Sequence, residues 1–256
     1  FFMDGGGGHP IIRPHHLETI QKLVDKGVGL SFFHYAVEVP KGEPGDRFLD
    51  WIGGYYETAY STNPHWKARI ETLPKHPIAS GVEPFEIGDE WYFNIRFRTD
   101  GKGVTPILVA KPDDKTRQGV SASPRGPYKH IVEAKGREEI LAWAVERPDG
   151  GRGFGFTGGH DHANWGDPNF RKLALNAILW TAGLDVPPQG VKSDVGADDL
   201  KRNLDPKKCA RRVKLPKYRQ PDARVPSPGG RRIVCDDMFR SHTHQKERHL
   251  SKSNWI

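Results

Sequence analysis

Val28-Gly29-Leu30-Ser31-Phe32-Phe33-His34 is the stretch that decides the fold. It is mostly apolar, bounded by glycine and too short for a helix, which is how a strand buried on both faces reads. Upstream of it, Pro14 suits a first helical position, Leu17, Ile20, Leu23 and Val24 recur at helical spacing, and Gly27 suits the residue just past a helix end. Further upstream, Phe1-Phe2-Met3 reads as the end of another buried strand, cut from its beginning, that runs straight into Asp4-Gly5-Gly6-Gly7-Gly8. Strand, helix, strand predicts a parallel crossover and an α/β chain.

Downstream, the strand candidates are Trp66–Thr72, Trp91–Phe97, Val104–Ala110, Ile140–Glu146 and Gly153–Thr157. Residues 111–137, rich in Lys, Asp, Gly, Ser and Pro, read as a surface excursion. A helix closes the body: Asp167 caps it, Pro168 opens it, Phe170, Leu173, Ala174, Ala177 and Trp180 form its apolar stripe, and Gly183 stops it. Beyond Val186 apolar periodicity fades, so the expected organisation is a domain over residues 1–190 and a basic, disordered tail over 191–256.

The charge is segregated. Residues 201–256 hold 16 of the 39 Lys and Arg but only 5 of the 32 Asp and Glu, leaving residues 1–200 mildly acidic. A nucleic-acid partner is not expected, because no zinc-finger spacing, basic zipper or RRM-type aromatic signature accompanies the basic tail. Both cysteines, Cys209 and Cys235, lie in the tail, so the body has no thiol nucleophile and no thiolate metal ligand. No apolar run approaches the ~18 residues that span a bilayer, so no membrane partner is expected. A homo-oligomer is compatible with this composition.

Two places could carry chemistry. His34 ends a buried strand, and ligands in open α/β sheets gather beyond the carboxyl ends of strands; the alternative is a hydrogen-bonded core histidine. Gly158-Gly159-His160-Asp161-His162 follows another strand, and its histidines could shuttle protons or ligate a divalent metal. Delivered to one sheet edge, His34 and His160 should approach within roughly 10 Å of each other. Asp89-Glu90 precede the aromatic Trp91-Tyr92 and read either as strand-entry charges or as pocket carboxylates beside rings that stack on a sugar. Gly153 to Gly158 spells G-x-G-x-x-G, yet the next helix starts about ten residues late for a dinucleotide site; the alternation reads as a strand with small residues for close backbone approach. Gly5–Gly8 lacks the Gly-Lys-Ser/Thr ending of a phosphate loop.

In this order Met3–Gly8, Gly29–Val37, Trp51-Ile52-Gly53-Gly54, His76-Pro77-Ile78, Asp89-Glu90-Trp91-Tyr92, Gly151–His160 and Phe170–Gly183 resemble the ThuA-like (trehalose utilisation) family of the class I glutamine amidotransferase-like superfamily. The resemblance implies a flavodoxin-like parallel sheet flanked by helices, with part of it preceding Phe1. It places His34 at the strand-to-helix elbow that carries the nucleophile in amidotransferases, and His160 where their partner histidine sits. A histidine cannot form the thioester that glutaminases need. What is implied instead is catabolism of a small-molecule carbohydrate, a disaccharide or keto-sugar, by acid/base or metal-assisted chemistry. His34, His160 and Glu90 are then the candidate catalytic residues, and Trp51, Gly54, Asp89, Trp91 and His162 the candidate substrate contacts. A carbohydrate-binding module without turnover is the alternative.

Overall fold

The structure, a computed structural model, describes residues 1–3, 5–119, 126–202 and 204. Phe1–Leu200 form one compact unit. The expected tail from residue 205 onward lies outside the described residues. In chain order the elements are α1 (Pro14–Val24), β1 (Leu30–Phe33), α2 (Glu43–Ile52), β2 (Gly54–Tyr55), β3 (Trp66–Ile70), β4 (Phe85–Asp89), β5 (Arg96–Phe97), β6 (Val104–Ala110), α3 (Asp114–Arg117), α4 (Lys129–Glu133), β7 (Glu139–Glu146), β8 (Arg152–Phe156) and α5 (Pro168–Thr181).

The protein is α/β, but its central sheet is mixed rather than wholly parallel. Its order is β1-β8-β7-β6, with β1 parallel to β8 and the other two pairs antiparallel. Phe2 adds a parallel bridge to Phe33 at the outer edge. The reason for the departure is the short Arg147–Gly151 connection. Gly150, at φ +82°, donates its N–H to the Arg147 carbonyl at 2.9 Å, closing a tight turn between β7 and β8. A turn of that length joins only antiparallel neighbours; a parallel pair needs a crossover of a dozen residues or more.

The core lies on both faces of this sheet. Phe33, Phe154, Phe156, Ala142 and Ala144 belong to one cluster with Leu173, Ala177 and Trp180 of α5. Phe32, Trp143 and Val145 belong to the other, with Leu17 and Val24 of α1 and Phe48, Trp51 and Ile52 of α2. Successive residues along β1 and β7 therefore serve opposite faces, as the pleat requires. The glycines of β8 let the layers close. A Cβ at Gly153 would strike the Trp51 carbonyl oxygen and Ile52, and one at Gly155 would strike the indole of Trp143. The Gly-x-Gly alternation thus serves packing.

The closing helix forms as the sequence indicates. The Asp167 carboxylate accepts from the Asn169 and Phe170 N–H groups at 2.9 Å, and Gly183 follows the helix end at φ +77°. Two readings need correction. The aromatic segment Trp91–Phe97 is a strand only at Arg96–Phe97; the preceding strand is β4, paired antiparallel with β3. Trp91–Ile95 is buried throughout, with Asn94 at φ +55°, a conformation that breaks a strand. Residues 111–137 are not wholly superficial either. Arg117 and Ile131 are buried, and Arg117 donates to the Glu139 carboxylate at 2.8 Å. Among the described residues no helix is long and apolar enough to cross a membrane.

Candidate active site

The parallel pair builds the site, because two parallel strands end at the same edge of the sheet. β1 ends at His34, whose φ of +49° is a left-handed backbone that costs a non-glycine residue about 1–3 kcal/mol. A short helical turn, His34–Val37, follows and makes the elbow. β8 ends one residue before Thr157, and Gly158 passes against Trp91, where a Cβ would lie 2.5 Å from the ring. Gly159, at φ +111°, then turns the chain so that His160 faces back toward His34.

His34 Nε2 and His160 Nδ1 are 3.2 Å apart. Glu90, from the segment after β4, places Oε2 2.9 Å from His160 Nδ1 and 3.4 Å from His34 Nε2. The Thr157 carbonyl, which can only accept, takes the His34 Nδ1–H at 2.9 Å and so leaves Nε2 turned toward the other groups. The Tyr92 hydroxyl lies 3.2 Å from the same Nε2. Asn63 donates Nδ2–H to Glu90 Oε1 at 3.0 Å and fixes the carboxylate plane.

The electrostatics favour an ion pair. Burial opposes charge on Glu90, but the hydrogen bonds and charges of His160 and His34 outweigh it and hold the carboxyl down to about 2. The hydrogen bond to Glu90 raises the His160 imidazole above its ordinary value, against the effect of burial. Burial, aided by the nearby Glu90, pushes the Tyr92 hydroxyl well above its ordinary value, so it stays protonated.

The other expected contacts fall elsewhere. Asp89 is 2% exposed, and its two oxygens accept from the N–H groups of Glu90, Gly159, His160 and Asp161 and from Asn164 Nδ2, at 2.8–3.3 Å. With its acceptor capacity committed to five donors, it clamps the His160 loop and leaves nothing for a substrate. Trp51 is fully buried at the end of α2 and donates its indole N–H to Gln21, and Trp91 is fully buried between Phe156 and Phe170; neither offers a ring face to a sugar. Gly54 sits in β2 beneath the Phe97 ring. The His162 Nε2 bonds the Leu200 carbonyl at 2.9 Å, away from the histidine pair. Tyr92, read from the sequence as a ring that could stack on a sugar, instead brings its hydroxyl to His34, while Asn63 and the exposed His65, whose ring meets that of His160 edge-on at 5.0 Å, are the neighbours that sequence reasoning did not assign to the site. Asn63 and His65 carried one signal, a shared Asn-Pro-His segment between strands.

The ThuA family model, described as trehalose utilisation, matches residues 6–181. The chain belongs to the ThuA family. Among solved structures it is similar to a ThuA-like protein from Bacteroides uniformis ATCC 8492, at 16% identity with a TM-score of 0.51, over 72% of this chain and 69% of that one. At that identity the likeness speaks for the fold alone. No curated protein matches the chain.

Proposed function

We propose that this ThuA-family chain processes a small carbohydrate, a disaccharide or keto-sugar, at the His34–Glu90–His160 centre by acid/base or metal-assisted chemistry, and that it has no glutaminase activity. The family supports the substrate class. One observation carries the chemistry: three ionisable side chains from three separate chain segments converge, with mutual distances of 2.9–3.4 Å, at the edge where β1 and β8 end. Groups so placed are costly to assemble and mark functional sites.

Removing a proton from a carbon beside a carbonyl needs a base with an open lone pair and a donor near the carbonyl oxygen. In the neutral form of His34, Thr157 fixes the tautomer that turns the Nε2 lone pair inward. His160, whose protonated form Glu90 favours, supplies the donor, with the neutral Tyr92 hydroxyl beside it. An amidotransferase elbow would present a thiol at position 34; here it presents an imidazole, which forms no acyl-thioester.

The test is a screen of disaccharides and their keto forms against the full chain. Turnover lost in both His34→Ala and His160→Ala, with circular dichroism unchanged, is the expected result. Sugar binding without turnover in the wild type would assign a binding module instead. Glutamate release abolished by His34→Ala would refute the loss of glutaminase activity.

A further inference from the structure

We propose that His34 Nε2, Glu90 Oε2 and His160 Nδ1 hold one divalent first-row transition-metal ion, each occupying one corner of a single face of its coordination shell. The three atoms form a triangle with sides of 3.2, 3.4 and 2.9 Å. Ligand atoms at about 2.0–2.2 Å from an ion, at tetrahedral or octahedral angles, stand about 2.9–3.5 Å apart. A point about 2.1 Å from all three corners exists about 1 Å off their plane, so the three separations are those that ligands of one ion require. These residues are the group of metal-binding side chains found among the described residues, with ligand atoms all within 4.8 Å of one another.

Proton placement alone accounts for this triangle poorly. With Nδ1–H of His34 committed to the Thr157 carbonyl, Nε2 accepts from the Tyr92 hydroxyl at 3.2 Å yet still faces the Glu90 carboxylate oxygen, 3.4 Å away, lone pair to lone pair. The proton on His160 Nδ1 serves the Glu90 contact at 2.9 Å and cannot also relieve the third side well. A cation at the centre satisfies all three at once.

The surroundings have the form that orients metal ligands. A backbone carbonyl takes the outer N–H of His34, an amide N–H holds the outer oxygen of Glu90 at 3.0 Å, and Asp89 fixes the His160 backbone at 3.0 Å. Two imidazoles and one carboxylate suit zinc, manganese, iron, cobalt or nickel better than magnesium or calcium, which prefer all-oxygen sites. His160 is the most exposed of the three side chains, at 18% against 4% and 11%, so the open side of the shell lies toward it. Resting on the function proposed above, we infer that two neighbouring oxygens of the sugar complete the shell there. With His34 Nε2 then a ligand rather than a base, the ion would polarise the carbonyl in place of the protonated imidazole, which is the metal-assisted form of the proposed chemistry.

The experiment uses the full chain, stripped with a chelator and titrated separately with Zn²⁺, Mn²⁺, Co²⁺, Ni²⁺ and Mg²⁺ by calorimetry, with metal content read by mass spectrometry. The expected result is one transition ion per chain, with Mg²⁺ bound far more weakly. Affinity should fall at least about 100-fold in His34→Gln and His160→Gln, while His162→Gln keeps it. A Co²⁺ visible spectrum altered by Glu90→Gln provides a readout independent of folding losses. Failure of the wild type to bind any of these ions at one per chain, or binding retained by both ligand variants, would overturn the proposal. Turnover of a sugar by metal-free protein would overturn the ion's role and leave the carbohydrate reading standing; one ion bound without any turnover would do the reverse.

Discussion

Replacing Asp89 by asparagine leaves the shape of the side chain almost unchanged but turns one of its two acceptors into a donor. Oδ1 takes the N–H groups of Glu90, His160 and Asp161, and Oδ2 takes that of Gly159 and the Asn164 amide. Whichever way the new amide turns, at least two donors then face an NH₂ group, and the others bond a neutral oxygen. Hydrogen bonds to a charged acceptor contribute about 1.5–3 kcal/mol each, so two lost bonds amount to about 3–6 kcal/mol before relaxation. The loop reaches solvent at Asp161, and water will recover part of this, so the expected loss is about 3 kcal/mol. Urea denaturation followed by tryptophan fluorescence measures it, with Asn164→Ala, which removes an amide bonded to both Asp89 Oδ2 and the Gly88 carbonyl at a solvent-exposed edge, expected to cost about 1–2 kcal/mol. The same Asp89→Asn protein should lose the His34–His160 contact, visible as shifted imidazole resonances. A stability loss under about 1 kcal/mol together with unshifted resonances would refute the assignment of Asp89 as the clamp.

Leu173→Ala, at a fully buried position on α5, should lower unfolding free energy by about 2–5 kcal/mol in the same assay, whereas a surface helix would lose a fraction of that. A pH effect is expected at Glu57. Burial opposes its ionisation, but Arg96, at 2.9 and 3.1 Å, and Tyr55, at 2.8 Å, lower its pKa below the ordinary 4.5. A depressed carboxylate contributes stability that is present above its unfolded pKa and lost as pH falls through the folded one. The stability gap between wild type and Glu57→Gln should therefore be full at pH 6–7, close as pH drops below about 4.5, and not open further in alkali. A gap independent of pH would show that the carboxylate charge is immaterial.

Local chemistry made some elements readable. Proline at a first helical position, Asp167 as cap and Gly183 past the end act within a few residues, and α1 and α5 form where those signals stand. The two histidines were legible as strand-end residues because each follows a short apolar run. The helix Glu43–Ile52 was missed, although Phe48, Trp51 and Ile52 share its buried side and Gly53 ends it at φ +81°. Read only as the motif Trp51–Gly54, it suggested a site rather than a stop. Strand direction was legible in principle from the five residues between β7 and β8, too few for a crossover. The burial of Trp51 and Trp91 was not, because an aromatic ring beside a glycine reads the same in a core as in a pocket until the opposing layer is known. The role of Asp89 depends on N–H groups seventy residues away and leaves no local trace.

The spacing of the two imidazoles is set by only four residue pairs, Leu30 with Gly153 through Phe33 with Phe156. A slip of β1 by one residue would exchange Phe32 and Phe33 between the two layers, which the packing forbids. A slip by two would keep both rings on their own sides but move Ser31 into the place of Phe33 or of Gly29, where a Cβ would meet the Thr181 carbonyl oxygen. It would also carry His34 about 6.6 Å along the sheet, out of reach of His160 and Glu90. The strand pair therefore acts as a ruler for the reacting groups, and the same small and aromatic residues that pack β1 keep that ruler from being read one pleat off.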